Sequence, residues 1–305
     1  MIPREILEKV RRIEITTSRM VTDVFSGQYH SVFKGQGMEF DEVREYQIGD
    51  DVRAIDWNVT ARTGRPHIKK YIEERELTVM ILVDASRSCR FASVNQLKNK
   101  LAAEIAAVLS FAAIRNNDKV GLILFTDVIE KFIAPRKGVR HVLRVIRELL
   151  CFQPRGKGTD ISAALDYLNK VTTRKTVAFM ISDFIDFNSS LKKSPQEEFA
   201  FKKSLTVANK RHDMIAVTLN DPRETELPDC GLLLLEDAES GDTRVIDTSD
   251  PALRKAYREA ALVRLRKREM LFGSTGVDPI DISTDKPYER ELVKFFLRRR
   301  KRRMH

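Results

Sequence analysis

The stretch Leu77–Ser88 constrains the chain most. Leu77 and then Val79 to Val83 form an apolar run that stops on Asp84, and two hydroxyls follow at alternate positions, Ser86 and Ser88. A strand that is apolar on both faces belongs inside a parallel sheet covered by helices on either side. The loops after such strands are where open α/β sheets hold their ligands. Here that loop begins with an acid and two hydroxyls, hard oxygen donors of the kind Mg²⁺ prefers. The same short stretch also suits a plain turn leading to a helix N-cap. Its meaning therefore depends on what the rest of the chain brings to it.

The rest of the chain repeats the theme. Residues 93–115 carry Leu97, Leu101, Ile105, Val108, Leu109 and Ala112 at helical spacing. Val120–Phe125 reads as a second apolar strand, with Val128–Ile133 beside it as an antiparallel edge, and residues 138–150 as an amphipathic helix. A helix over 161–172, a third strand over 176–182, a helix over 197–210 and a fourth strand over 214–219 follow. Alternation of this kind predicts a doubly wound, mostly parallel sheet of Rossmann-like type. Upstream, residues 3–19 read as a helix, and Gly27–Gly37 as short strands and turns. The charged segment 39–57 reads as a folded, ion-paired surface, and His67–Glu73 as a strand feeding the central one. Beyond Asp221-Pro222 come a hairpin (232–235 and 243–246), a helix over 250–271, a short strand near 276–281 and a closing helix over 287–300. The expected organisation is a β-rich N-terminal region (1–75), an α/β domain (76–220) and a hairpin-plus-helix extension with a basic tail (221–305).

Two chain-distant features share the rim with Asp84. Thr159 precedes the third helix, and Asp183 ends the third strand. Loops after parallel strands converge on one side of the sheet. Asp84, Ser86, Ser88, Thr159 and Asp183 thus make a candidate site for one Mg²⁺ or Mn²⁺, with positions left for water or for a carboxylate from a partner.

Composition narrows the classes. Apolar residues make up 42% of the chain, enough for a sizeable core. No stretch approaches the roughly 20 apolar residues of a membrane span, and the charged first residues lack the apolar centre of a signal peptide. The expected location is the cytoplasm. Cys89, Cys151 and Cys230 are expected to be reduced, buried thiols. Net charge is +10, of which Arg298–Arg303 supplies six, leaving +4 elsewhere. That basic run is read first as a solvated, frayed end, and second as a contact for an acidic partner surface, lipid or nucleic acid. The lack of interleaved aromatics disfavours nucleic acid. Asp50, Asp51 and Asp56 near Trp57 are expected to pair with Arg44, Arg53 and Arg62 rather than serve as acid/base groups. Gly156-Lys157-Gly158-Thr159 fails as a phosphate loop, because its lysine is followed by Gly.

The series Asp84-x-Ser86-x-Ser88, Thr159 in Gly-Thr-Asp, and Asp183 in Ile-Ser-Asp-Phe resembles the metal-ion-dependent adhesion site of von Willebrand factor type A domains over roughly 77–220. Over a wider span the chain is similar to the DUF58 family. The carriers are Gly-Gln-Tyr-His-Ser (27–31), Glu-Phe-Asp-Glu-Val-Arg-Glu-Tyr (39–46), Gly-Asp-Asp-Val-Arg-x-Ile-Asp-Trp (49–57), Ala61-Arg62-Thr63-Gly64, Asp221-Pro-Arg-Glu224, Leu227-Pro228 and Val245-Ile246-Asp247-Thr248. Cys89 departs from the Met common after the second Ser, at a position that is not a ligand. The resemblance implies a short cytosolic, non-enzymatic module. It implies a metal-dependent companion of MoxR-type AAA+ ATPases in the assembly or maturation of a client protein. A Mg²⁺-dependent hydrolase and an adaptor acting through the basic tail are the alternatives.

Overall fold

The structure, a computed structural model, describes residues 38–73, 76–91, 97–156, 158–185, 199–236 and 241–303, together with Tyr29, Val32, Phe33 and Ser93. The expected helix over 3–19 and most of the Gly27–Gly37 stretch lie outside the described residues. The strands are β1 (Met38–Glu45), β2 (His67–Glu73), β3 (Thr78–Asp84), β4 (Lys119–Phe125), β5 (Ile129–Arg136), β6 (Val177–Ser182), β7 (Asp213–Asn220), β8 (Leu232–Glu236), β9 (Thr243–Asp247) and β10 (Asp278–Ser283). The helices are α1 (Trp57–Thr63), α2 (Lys98–Arg115), α3 (Val139–Cys151), α4 (Ile161–Val171), α5 (Lys202–Arg211), α6 (Pro251–Thr275) and α7 (Tyr288–Arg303).

Six strands form the central sheet in the order β10-β7-β6-β3-β4-β5, parallel except for the β5 edge. β3 is the hinge of this order: the chain winds outward from it in both directions. Its side chains alternate between two cores, as the pleat demands. Val79, Ile81 and Val83 pack with Leu101 and Ile105 of α2, Val142 of α3 and Phe296 of α7. Met80 and Leu82 face the other way, with Leu165 of α4, Leu205 of α5 and Phe272 of α6. An apolar residue is therefore required at every position of the strand until it reaches the rim.

Four features differ from the sequence expectation. β2 does not feed the central sheet. It pairs antiparallel with β1 in a separate two-stranded sheet, since only Ile68 among its characterised side chains is buried. The short strand after α6 is β10, and it joins the central sheet beside β7, so the segment read as an extension supplies the sixth strand. The basic run is no frayed end: α7 continues to Arg303. Arg299 pairs with Asp213 and lies 5.0 Å from the ring centroid of Phe33, while Arg302 reaches Asp278 at 2.9 Å. Of the cysteines, Cys89 is buried as expected, whereas Cys151 and Cys230 are exposed free thiols. Tyr29, Val32 and Phe33 belong to the core on the α2 side, with Phe33 edge-on to Phe179 at 5.9 Å. No helix among the described residues is long and apolar enough to cross a membrane.

A buried histidine gives the fold a pH signature. The Thr172 hydroxyl donates to the Leu168 carbonyl at 2.6 Å, so it accepts from His212 Nε2 at 3.2 Å. The proton is thereby placed on Nε2. Nδ1 is buried without a hydrogen-bond partner among the described residues. Burial, and then the charge of Arg211, push the His212 pKa down from 6.5 to about 4. A depressed histidine pKa means that the unfolded chain takes up the proton first. Its contribution is thus intact above pH 6.5 and declines as pH falls towards 4, by at most about 3 kcal/mol. In urea unfolding, wild type should lose this much more stability than His212→Gln between pH 7 and pH 4; parallel curves would contradict the assignment.

Candidate functional site

Four of the candidate residues, Asp84, Ser86, Ser88 and Asp183, lie where β3 and β6 end. Asp84 closes β3 and is buried. Its Oδ1 accepts the Ser86 amide at 2.9 Å, and its Oδ2 accepts the Ser182 hydroxyl at 2.7 Å. The Ser86 and Ser88 hydroxyls lie 2.9 Å apart. Asp183 follows the last residue of β6 and is also buried, its Oδ1 accepting the Ile185 amide at 3.1 Å. Between them Phe184 adopts a left-handed backbone, φ 58°. This is a strained conformation for a bulky residue, held by its amide donating to Ser182 at 3.0 Å. Burial, and then the neighbouring charge of Asp183, push the Asp84 pKa up to about 6.

Thr159 enters the same rim from one strand over. The Ala85 amide bonds to the Phe125 carbonyl at the end of β4. The next residue, Thr126, accepts the Asp160 amide at 2.9 Å. That backbone bond fixes Thr159, which is buried. Asp160 serves as the N-cap of α4, accepting from the Ala163 amide. The preceding loop is clamped: Glu130 accepts the amides of Arg155 and Gly156, each at 2.8 Å. A Cβ on Gly156 would run into the side chains of Asp127 and Thr126, so a larger residue there would displace both.

Sequence reasoning missed the cation of this rim. Lys98, at the start of α2, is fully buried, and its Nζ lies 3.5 Å from Asp183 Oδ2 and 2.5 Å from Glu224 Oε1. Burial alone would depress the ammonium pKa, but Asp183 and Glu224 outweigh it and the net direction is upward. Glu224 belongs to the Asp221-Pro-Arg-Glu turn, where it forms a capping box with Asp221. Asp221 is itself buried and accepts from Ser93 and from Thr284 at 2.7 Å. Arg268 of α6 donates to the Asp183 carbonyl at 3.1 Å and to Asn220 at 2.7 Å. The rim is thus tied to the C-terminal third of the chain through charged groups. Ser182 offered a signal, a hydroxyl beside a strand-end acid, whereas Lys98 opens a helix whose first turn also carries Asn99 and Lys100 and gave none.

The donor set fits a hard divalent cation. Two adjacent buried carboxylates and three hydroxyls offer only oxygen, and the mutual repulsion seen at Asp84 is what a cation between them relieves. Among the described residues no three His, Cys, Asp or Glu side chains converge to hold a metal. Such an ion would take the remaining donors from Ser86, Ser88 and Thr159.

The acids near Trp57 do structural work, with partners partly different from those expected. Asp50 takes Arg44 in a two-pronged pair at 2.7 and 2.9 Å. Asp51 caps the 3₁₀ turn 52–54 through the Arg53 amide, not its guanidinium. Asp56 caps α1 and pairs with Lys69 at 3.2 Å rather than with Arg62.

The fold and rim define an α/β protein with a carboxylate–hydroxyl cluster at the C-terminal edge of a parallel sheet. The family model described as "Protein of unknown function DUF58" matches residues 42–267, and the chain belongs to that family. It is 31% identical over 294 residues to the uncharacterised protein Rv1480 of Mycobacterium tuberculosis, covering 96% of this chain and 89% of that one. It is 29% identical over 170 residues to MAV169 of Mycobacterium avium, covering 55% of this chain and 94% of that one. Among solved structures, BatB from Bacteroides thetaiotaomicron is 14% identical with a TM-score of 0.46, covering 74% of this chain and 99% of that one. A von Willebrand factor type A protein from Catenulispora acidiphila is 9% identical with a TM-score of 0.36, covering 76% and 44%. At these scores neither likeness bears on function.

Removing Lys98 should be costly for a specific reason. Lys98→Met strands Asp183 and Glu224 together in a buried site, with an expected loss of about 3–5 kcal/mol. Adding Glu224→Gln removes one of the two stranded charges and should recover part of that loss. Additive or worse destabilisation in urea melts of the double variant would contradict the pairing.

Proposed function

We propose that this chain is a metal-dependent protein-interaction module and not an enzyme. In this reading Asp84, Ser86, Ser88, Thr159 and Asp183 hold Mg²⁺ or Mn²⁺, and the bound ion supplies a positive point on which a partner's carboxylate is fixed. The observation that carries the reading is the pair of adjacent buried carboxylates at the strand ends, with Asp84 bonded to the Ser86 amide and the Ser182 hydroxyl beside the paired Ser86 and Ser88 hydroxyls. Two acids and several hydroxyls suit holding a ligand; hydrolysis at metal centres more often recruits two ions and further carboxylates. The partner we propose is a MoxR-type AAA+ ATPase, acting with this chain on a client protein in the cytoplasm. That proposal rests on the family resemblance of the motif segments 27–31, 39–46 and 49–57. The exposed remainder of the basic run, Arg298, Arg300, Lys301 and Arg302, offers a secondary contact for an acidic surface.

Calorimetric titration with Mg²⁺ should give one site on wild type. Asp84→Asn should weaken it by about 100-fold or more, and Thr159→Ala by about tenfold, with unchanged far-UV circular dichroism. Capture of the AAA+ ATPase from cell extract should follow the same order and fail in chelator. Equal capture by wild type and Asp84→Asn would refute the metal-dependent reading.

A further inference from the structure

Beside the rim lies a cavity of about 160 Å³, and Asp183 lines it as well as the candidate cation site. Its apolar walls are Phe184 after β6, Leu219 of β7, Phe199 before α5, and Ala261 and Leu265 of α6. We infer that this cavity receives a Phe- or Leu-sized side chain of the same partner segment whose carboxylate is held at the rim. The ligand class is thus an acidic residue next to a large apolar one.

Size and chemistry point the same way. An apolar cavity of about 150 Å³ is enough to take up benzene. The charged groups around this one are already engaged within the protein. Asp221 accepts from Ser93, Thr284 and the Arg223 amide. Glu224 holds Lys98, and Arg264 donates to the Glu224 carbonyl at 3.3 Å. Arg268 is spent on Asp183 and Asn220. With its ions matched to one another, the cavity has apolar surface left to offer, and burying a ring there is favoured by roughly 25 cal/mol per Å² removed from water.

Backbone geometry connects the two subsites. The strained turn at Phe184 lets Asp183 stay at the rim, while the Phe184 ring is held edge-on to Phe272 at 5.2 Å. The acid that would hold the ion is thus the direct chain neighbour of a wall of the cavity, and strain of this kind collects at binding sites. Because Asp183 borders both subsites, a short acidic–apolar pair of a partner segment can reach the two together.

This inference rests on the proposed function for its rim half only, and the test separates the two. The probes are acetyl-Asp-Phe-amide, acetyl-Asp-Ala-amide and acetyl-Asn-Phe-amide, titrated against the full chain in Mg²⁺ and in chelator by NMR or calorimetry. The expected result is that Asp-Phe binds at least tenfold more tightly than either of the others. Ala261→Phe should fill the cavity and reduce Asp-Phe to the level of Asp-Ala, with Mg²⁺ affinity unchanged. Leu265→Ala provides a second variant that enlarges the cavity without inserting bulk; it should shift preference from Asp-Phe to acetyl-Asp-Trp-amide, titrated as a fourth probe. Equal binding of Asp-Phe and Asp-Ala by wild type overturns the cavity assignment whatever the metal does. A preference for Phe that persists in chelator and vanishes in Ala261→Phe supports the cavity while overturning the metal half.

Discussion

Two like charges buried side by side set the terms for the whole molecule. Asp84 and Asp183 end adjacent parallel strands at the middle of the sheet, where neither can turn away to water. A buried carboxylate survives only with hydrogen bonds and a counter-charge. The hydrogen bonds come from the Ser86 amide, the Ser182 hydroxyl and the Ile185 amide. The counter-charge is partial: Lys98 reaches Asp183 and Glu224, and Asp84 keeps a raised pKa. This imbalance at the centre of the sheet is the physical basis for reading the rim as a cation site.

The fold exists in a form that makes this imbalance tolerable. β3 and β6 are apolar along their whole length and pack against helices on both faces, so the acids sit at the first place where the core ends. Around them the C-terminal third closes a frame. β10 adds a strand beside β7, and Thr284 after it bonds Asp221. Glu224 takes Lys98, and Arg268 takes the Asp183 carbonyl. These contacts join residues more than 60 positions apart, so the rim and the C-terminal elements stand as one charged network. The same charged network lines one side of the cavity beside the rim, between α6 and the ends of β6 and β7.

How much of this could be read from residues alone depends on locality. Asp84, Ser86 and Ser88 announce themselves because the apolar run of β3 stops at them. Asp183 does so for the same reason at β6. Thr159 was legible through its Gly-Thr-Asp setting before a helix. Lys98 was not, because a lysine at a helix start normally reads as solvated, and the carboxylates that bury it lie 85 and 126 residues away. β10 was visible as a short strand, but its neighbour in the sheet is set by packing across 60 residues and leaves no local trace. β2 misled in the opposite sense. Its loose alternation is a true strand signal, but the strand pairs antiparallel with β1 rather than with β3. Arg299 looked solvated within a run of like charges, yet Asp213 and the Phe33 ring draw it inward.

The most direct measurement is an anomalous difference map from crystals soaked in Mn²⁺. A single strong peak is expected at the rim, contacted by Asp84 and the serine hydroxyls, with Lys98 retained on Glu224. A map with no peak there, and with the Lys98 ammonium moved between Asp84 and Asp183, would contradict it: the protein would then carry its own cation, and the rim would be a structural ion pair.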